Sequence, residues 1–290
     1  MARESDASAR SRARALDLAA VQARLGDLRL RVATAAALAA TTVPPILIGG
    51  FFGAALFAAA AAAMGWEWRR ITLGARFEPI LGAMFASACA MAVLLAHALG
   101  LGAALLYVLA AGAALGALDR FERRSPLWSP LGLGTLGLAA ASFAALRDLP
   151  IFGLETALWI IAVVVACDVG AYFSGRTLGG PLLWPSVSPK KTWTGLGGGM
   201  AAAAMVGALF SWATTGTYAL QVATVSALAA CVAQGGDLAE SSFKRRFGVK
   251  DSSALLPGHG GALDRLDGFC AASLVAAAVT FLRGQPVFIW

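Results

Sequence analysis

Apolar residues fall in nine runs, at 32–49, 51–67, 79–97, 101–118, 129–146, 151–173, 196–215, 217–236 and 268–286, with polar residues gathered between them. Crossing the hydrocarbon core of a bilayer takes about 20 apolar residues, within a range near 17–25. Each run therefore predicts one transmembrane helix. Pro44 and Pro45 are expected to kink or break the first, and the boundary between the first two is weak. The pattern leaves no room for a soluble domain. It predicts an all-α, polytopic integral membrane protein of about nine transmembrane helices, a single membrane domain over 32–290 behind a tail at 1–31.

Composition strengthens this reading. Hydrophobic residues make up 59% of the chain and charged residues only 13%, against about 25% charged in soluble domains; mean hydropathy is +0.73. The net charge of +7 does not point to nucleic acid, because the chain has no nucleic-acid motif and its basic residues stand at the ends of apolar runs. Placement is what matters. With the N-terminus cytoplasmic and nine spans, 21 of the 23 Lys and Arg fall on the inside, leaving only Arg147 and Arg283 outside. That asymmetry predicts an inward N-terminus. The tail, with seven Arg and four acids, reads either as an interfacial helix carrying Leu16, Val21, Leu25 and Leu28 on one face or as a disordered segment. Cys89, Cys167, Cys231 and Cys270 lie in or beside apolar runs without zinc spacing, and read as small core residues.

Two inside loops are more polar than spanning requires. The first, Asp168 to Gly199, holds Asp168 at the end of an apolar run, where an ionisable residue is a functional candidate. It continues through Ser188, Lys190, Lys191 and Thr192 to Gly197, Gly198 and Gly199. Lysines supply charge for phosphate, and nearby glycines would let backbone N–H groups come close; the spacing is not that of a Walker A loop. The second loop runs from Asp237 to Asp267. Asp237, Glu240, Ser241 and Lys244 recur at i, i+3, i+4 and i+7 and predict one polar helix face. Asp264 and Asp267 share a face if the last helix begins near 263. Paired carboxylates from two helices are the hard oxygen ligands that Mg²⁺ takes, with phosphates filling its other positions. His259 has no second histidine nearby, which disfavours zinc. It reads as a metal ligand, a phosphate donor or a general base, with the donor role favoured.

The order Ser241, Lys244-Arg245, Lys250-Asp251, Leu256-Pro257, His259-Gly260-Gly261, Asp264-Arg265 and Asp267 resembles the C-terminal signature of the phosphatidate cytidylyltransferases, also called CDP-diacylglycerol synthases. Upstream, Asp168 with Gly170, Ala171, Tyr172, Gly175 and Arg176 is similar to a second motif of that family, and Ser188-Pro-Lys190-Lys191-Thr192 to a third. Trp66-Glu67-Trp68 is a weaker match. The resemblance is strong over 165–270, and one departure stands out: Thr194 occupies a place where the family commonly has Glu.

What the resemblance implies is transfer of a cytidylyl group from CTP to phosphatidic acid in the lipid bilayer, giving CDP-diacylglycerol and pyrophosphate. It implies Asp237 and Asp264 as Mg²⁺ ligands with Asp168 and Asp267 beside them, and it allows K⁺ as a second cation and a homodimer. Lys190, Lys191, Lys244, Arg245 and Lys250 would neutralise phosphates. Ser241, His259 and Arg265 would orient the substrates, and Ser188, Thr192, Asp251, Gly260 and Gly261 complete the implied substrate site. The implied setting is the cell inner membrane with the site on its cytoplasmic side. Two other readings compete with this one. A CDP-alcohol phosphatidyltransferase fits Asp264, Asp267 and Gly268 but needs further acids that do not follow. A secondary transporter would show internal repeats and acids near the midplane.

Overall fold

The computed structural model describes residues 32–258 and 260–290; the two readings of the tail and the roles considered for His259 lie outside the described residues. Nine helices are seen among those residues. They are α1 (Val32–Ile48), α2 (Gly50–Leu73), α3 (Pro79–Leu99), α4 (Leu101–Phe121), α5 (Trp128–Arg147), α6 (Gly153–Leu178), α7 (Trp193–Thr214), α8 (Ala219–Arg246) and α9 (Leu263–Arg283). All but α1 are long and apolar enough to cross a membrane, and α1 has 17 residues, the lower limit for a span. The prolines do not end α1. The break comes at Gly49, whose φ of 72° leaves the helical region, and the cut ends are capped from α5. Arg147 donates to the last carbonyls of α1, Ile46 O at 2.6 Å and Leu47 O at 2.7 Å. Asp148 accepts from the first N–H of α2, at Gly50, at 3.1 Å. A cation at a helix C-terminus and an anion at an N-terminus each answer the helix dipole.

Small residues bring the C-terminal helices together. A Cβ on Gly199 of α7 would lie 2.9 Å from Cys167 O of α6, and one on Gly170 of α6 would lie 2.8 Å from Gly198 O of α7. Gly198 and Gly199 thus face α6 as packing surface, which corrects the expectation that they open backbone N–H groups to phosphate. Close backbone approach through small residues is how membrane helices associate without a hydrophobic drive. Between the two halves, Phe243 of α8 stacks on Trp68 of α2 with centroids 3.9 Å apart, and Trp128 of α5 meets both rings.

One element of the fold is not helical. Leu182–Trp184 (β1) and Ser188–Thr192 (β2) pair antiparallel, with Leu182 opposite Thr192 and Trp184 opposite Ser188. This hairpin joins α6 to α7 at the end of the bundle where the α8–α9 loop also lies. Arg69, assigned to an inside loop by its sequence position, is instead 3% exposed within α2. Its guanidinium donates to Asp119 of α4 at 2.5 and 3.0 Å and to Ser129 Oγ of α5 at 3.0 Å.

Candidate functional site

The polar residues of α8 continue the helix well past its apolar run. Asp237, Glu240, Ser241 and Lys244 therefore stand on one side of α8 over two turns, and the helix ends only at Arg246. The last helix begins at Leu263, so Asp264 and Asp267 are both helical, one turn apart. Gly236 lets the two helices meet here: a Cβ at this position would fall 2.7 Å from Ala271 Cβ and 3.2 Å from Asp267 O.

Three carboxylates converge across that contact. Asp237, Glu240 and Asp267 each offer an oxygen within 4.8 Å of the others. Glu240 is 8% exposed. Its Oε2 lies 2.8 Å from Lys244 Nζ, while its Oε1 is buried with no hydrogen-bond partner among the described residues. A buried carboxylate oxygen without a donor is costly, and a divalent cation held by the three oxygens would relieve it. The donor set is the all-oxygen kind that Mg²⁺ prefers. Glu240 was seen in the sequence as a second acid on the helix face but not assigned to the site.

Asp264 has a different environment. Its carboxylate accepts from Lys244 Nζ at 2.7 Å, from Ser252 N at 3.0 and 3.2 Å, and from Gly261 N at 3.0 Å. It closes the α8–α9 loop onto the start of α9. Within that loop Leu256 and Gly260 exchange backbone hydrogen bonds of 2.8 and 3.1 Å, a tight turn in which Gly258 and Gly260 have φ of 74° and 85°.

The loop is also held from below by a residue missing from the sequence assignment. Glu67 of α2 is 1% exposed. Its Oε1 accepts from Ser253 Oγ at 2.5 Å and Ala262 N at 3.0 Å, and its Oε2 from Ser252 Oγ at 3.1 Å and Leu263 N at 2.8 Å. A side chain at Gly261 would collide with it, since a Cβ there would sit 2.7 Å from Oε1. The signal was available, because Glu67 is an acid in an apolar run, as Asp168 is.

A polar cavity of about 180 Å³ lies beside the acid cluster. It is lined by Asp168 and Tyr172 of α6, Lys190, Lys191 and Thr192 of β2, and Gln234 and Asp237 of α8. Lys191 Nζ lies 2.5 Å from Asp237 Oδ2 and 3.3 Å from Gln234 O. Gln234 Nε2 in turn points at Asp168 Oδ1, 3.5 Å away. The hairpin is thus the arm that carries two lysines to the carboxylates, and Gln234, one turn before Asp237, was not singled out in the sequence. Thr192 caps the start of α7, its Oγ1 accepting from Gly195 N at 3.0 Å. Thr194 donates to Gly179 O and lies 3.0 Å from Thr192 Oγ1. The departure from the family pattern therefore joins the end of α6 to the start of α7.

The remaining predicted residues are spread more widely. Ser241 Oγ is 3.4 Å from Asp237 Oδ1, and Ser188 opens β2. Arg245, Lys250 and Asp251 are exposed. Arg265 lines an apolar cavity that also reaches Asp168. The four cysteines are free, three of them buried.

The chain is similar to known proteins. A phosphatidate cytidylyltransferase of Brucella suis biovar 1 (strain 1330) is 47% identical over 157 residues, covering 54% of this chain and 57% of that protein. One from Haemophilus influenzae is 45% identical over 133 residues, 42% of this chain and 44% of that protein. One from Bacillus subtilis is 38% identical over 135 residues, 46% and 50% of the two chains. The chain spans about half the length of these curated relatives. The model of the cytidylyltransferase family matches much more, residues 29–282. On that match the chain belongs to the cytidylyltransferase family.

Proposed function

We propose that this protein transfers the cytidylyl group of CTP to phosphatidic acid, releasing pyrophosphate and forming CDP-diacylglycerol. The observation that carries the proposal is the juxtaposition of a lysine-lined polar cavity with a three-carboxylate cluster inside a membrane bundle. Relatives named phosphatidate cytidylyltransferase support the choice of reaction. CTP would lie with its triphosphate against Lys190 and Lys191, and the phosphatidate oxygen would attack the α-phosphorus. A new P–O bond forms as the bond to the β-phosphate breaks, and the electron pair leaves with pyrophosphate. The acceptor oxygen is already anionic, so the step needs neither a protein nucleophile nor a general base. Positioning and charge neutralisation carry such a transfer.

Asp237, Glu240 and Asp267 would hold Mg²⁺, which when bound supplies Lewis-acid stabilisation of phosphate charge. Lys191, now 2.5 Å from Asp237, is within reach of the same phosphates. Lys244 and Asp264 keep the α8–α9 loop closed over the cluster. The site faces the cytoplasm of an inner membrane in this reading, supported by the concentration of Lys and Arg in the loops at the site end.

The test is label transfer. Protein in detergent–lipid micelles with Mg²⁺, CTP labelled at the α-phosphate and phosphatidate should move label into the lipid phase. Asp237→Asn should stop the transfer while leaving the melting temperature near that of the unchanged protein. Label that stays in water with phosphatidate but reaches another lipid acceptor would overturn the substrate assignment, and transfer that survives Asp237→Asn would overturn the site.

A further inference from the structure

Two apolar cavities approach the acid cluster, and they differ in what stands at the polar end of each. One, of about 380 Å³, lies among α1, α2, α5, α6 and α9, with Ile46, Leu56, Phe143 and Ile161 in its wall and Asp168 and Arg265 at one end. The other, of about 530 Å³, lies between α5, α8 and α9. Its carboxylates are Glu240 and Asp267, and its one cation, Arg246, sits 5.5 Å from the Trp128 ring, about 9 Å along α8 from Glu240.

We propose that the smaller cavity, walled by α1, receives an acyl chain of the lipid phosphate, with the phosphate at Arg265 and Asp168 marking the meeting point with the nucleotide. This inference rests on the function proposed above. Three observations support it. Arg265, in the first turn of α9, stands with Asp168 in the lining of this cavity. Asp168 lines both this cavity and the lysine-lined polar one, so the two cavities adjoin at that residue and lipid and nucleotide would meet beside it. Val165 lines this cavity and is 56% exposed, so the cavity wall reaches the outer surface of the bundle within the apolar stretch of α6.

The cavity's length follows from the helix rise. Ile161 and Asp168 are two turns apart on α6, about 10 Å, and Leu56 to Met64 on α2 spans a similar depth. A chain in this slot exchanges lipid neighbours for equally apolar side chains, so little affinity is gained. The slot instead acts on chain length, because packed walls do not stretch to admit more atoms.

The first experiment uses the unaltered protein and a phosphatidate carrying a photoactivatable diazirine at the end of one acyl chain, with unlabelled phosphatidate as competitor. Competed adducts should map to Ile46, Leu56 and Ile161. Adducts at Leu131, Phe243 or Leu274, or at any other site, overturn the assignment. The second compares Ala60→Phe, which fills the slot, with Thr135→Phe, which fills the other cavity. Ala60→Phe should lower kcat/KM for dioctanoyl relative to dibutanoyl phosphatidate, whose chains stop short of Ala60, by about tenfold, within the range expected for overpacking. Thr135→Phe should leave that ratio unchanged, and the reverse result sinks the proposal. Crosslinking reads lipid position without turnover. A protein that is labelled in the slot but makes no CDP-lipid would refute the reaction and leave the slot standing.

Discussion

Replacing Glu67 by Gln probes the one carboxylate that holds the α8–α9 loop, the start of α9 and α2 together. The change keeps the size and shape of the side chain and converts one oxygen into an NH₂ donor. The hydroxyls of Ser252 and Ser253 can rotate to accept from that group. The backbone N–H groups of Ala262 and Leu263 cannot, and they bond to different oxygens, Oε1 and Oε2. Whichever way the amide is turned, one buried N–H faces another. An unsatisfied buried donor costs about 1–3 kcal/mol, and the surviving bonds weaken as they lose a charged acceptor. Relief of the N-terminal dipole of α9 is lost as well, roughly 0.3–1 kcal/mol. The expected destabilisation is about 2–4 kcal/mol, read as a fall of several degrees in the melting temperature of the purified protein. Asp264 and Asp267 follow Leu263 within about a turn, so a shifted α9 start would also slow cytidylyl transfer, by up to about 100-fold if the displacement reaches 1 Å. A Glu67→Gln protein with unchanged melting temperature and unchanged transfer rate would refute the reasoning.

Three further outcomes are expected. Glu240→Gln should raise the Mg²⁺ concentration giving half-maximal label transfer by roughly 10–100-fold, since even groups behind the ligands have effects of that size; a Mg²⁺ titration with unchanged midpoint would count against the cluster. Gly236→Ala should drive its Cβ into Ala271 and cost about 1–3 kcal/mol in thermal stability, and adding Ala271→Gly should restore much of it; equal loss in the single and double variants would show that the contact is not the cause. Asp119→Ala should cost about 3–5 kcal/mol by leaving Arg69 buried without its carboxylate, whereas Arg69→Met with Asp119→Leu should melt near the unchanged protein; a double variant as unstable as the single would refute the pairing argument.

How much of this could be read from the sequence depended on whether hydropathy and helicity end at the same residue. In α3 and α4 they nearly do, and the expected runs 79–97 and 101–118 became Pro79–Leu99 and Leu101–Phe121. In α8 the apolar run stops at 236 but the helix continues to Arg246, because polar residues on a helical face break hydropathy without breaking hydrogen bonding. The i, i+3, i+4, i+7 spacing carried that extension where hydropathy could not. The hairpin was not legible: its strands have three and five residues, and one contains Pro189, which reads against a strand. Glu67 shows in the sequence only as an acid in an apolar run; its partners, 185 or more positions away, cannot be read from any local pattern. Gly198 and Gly199 looked like a phosphate cradle only because sequence places them near the lysines; the fold turns them toward α6.

The two buried charges of α2 explain why a site made mostly by α6, α8 and α9 involves the N-terminal half. Glu67 and Arg69 are two residues apart, about 200° around the helix, and so face opposite neighbours. Glu67 reaches the α8–α9 loop, and Arg69 reaches Asp119 of α4 and Ser129 of α5. Apolar helix faces in a membrane can slide by a turn at little cost, since one set of alkyl contacts replaces another. Buried ionic and hydrogen-bonded groups cannot, because a one-turn slip would leave each without its partner in hydrocarbon. The same α2 therefore fixes its own depth against α4 and α5 and, through Glu67, the depth at which α9 begins. That depth sets where Asp267 stands relative to Asp237 and Glu240, three acids whose usefulness depends on oxygens within 4.8 Å of one another.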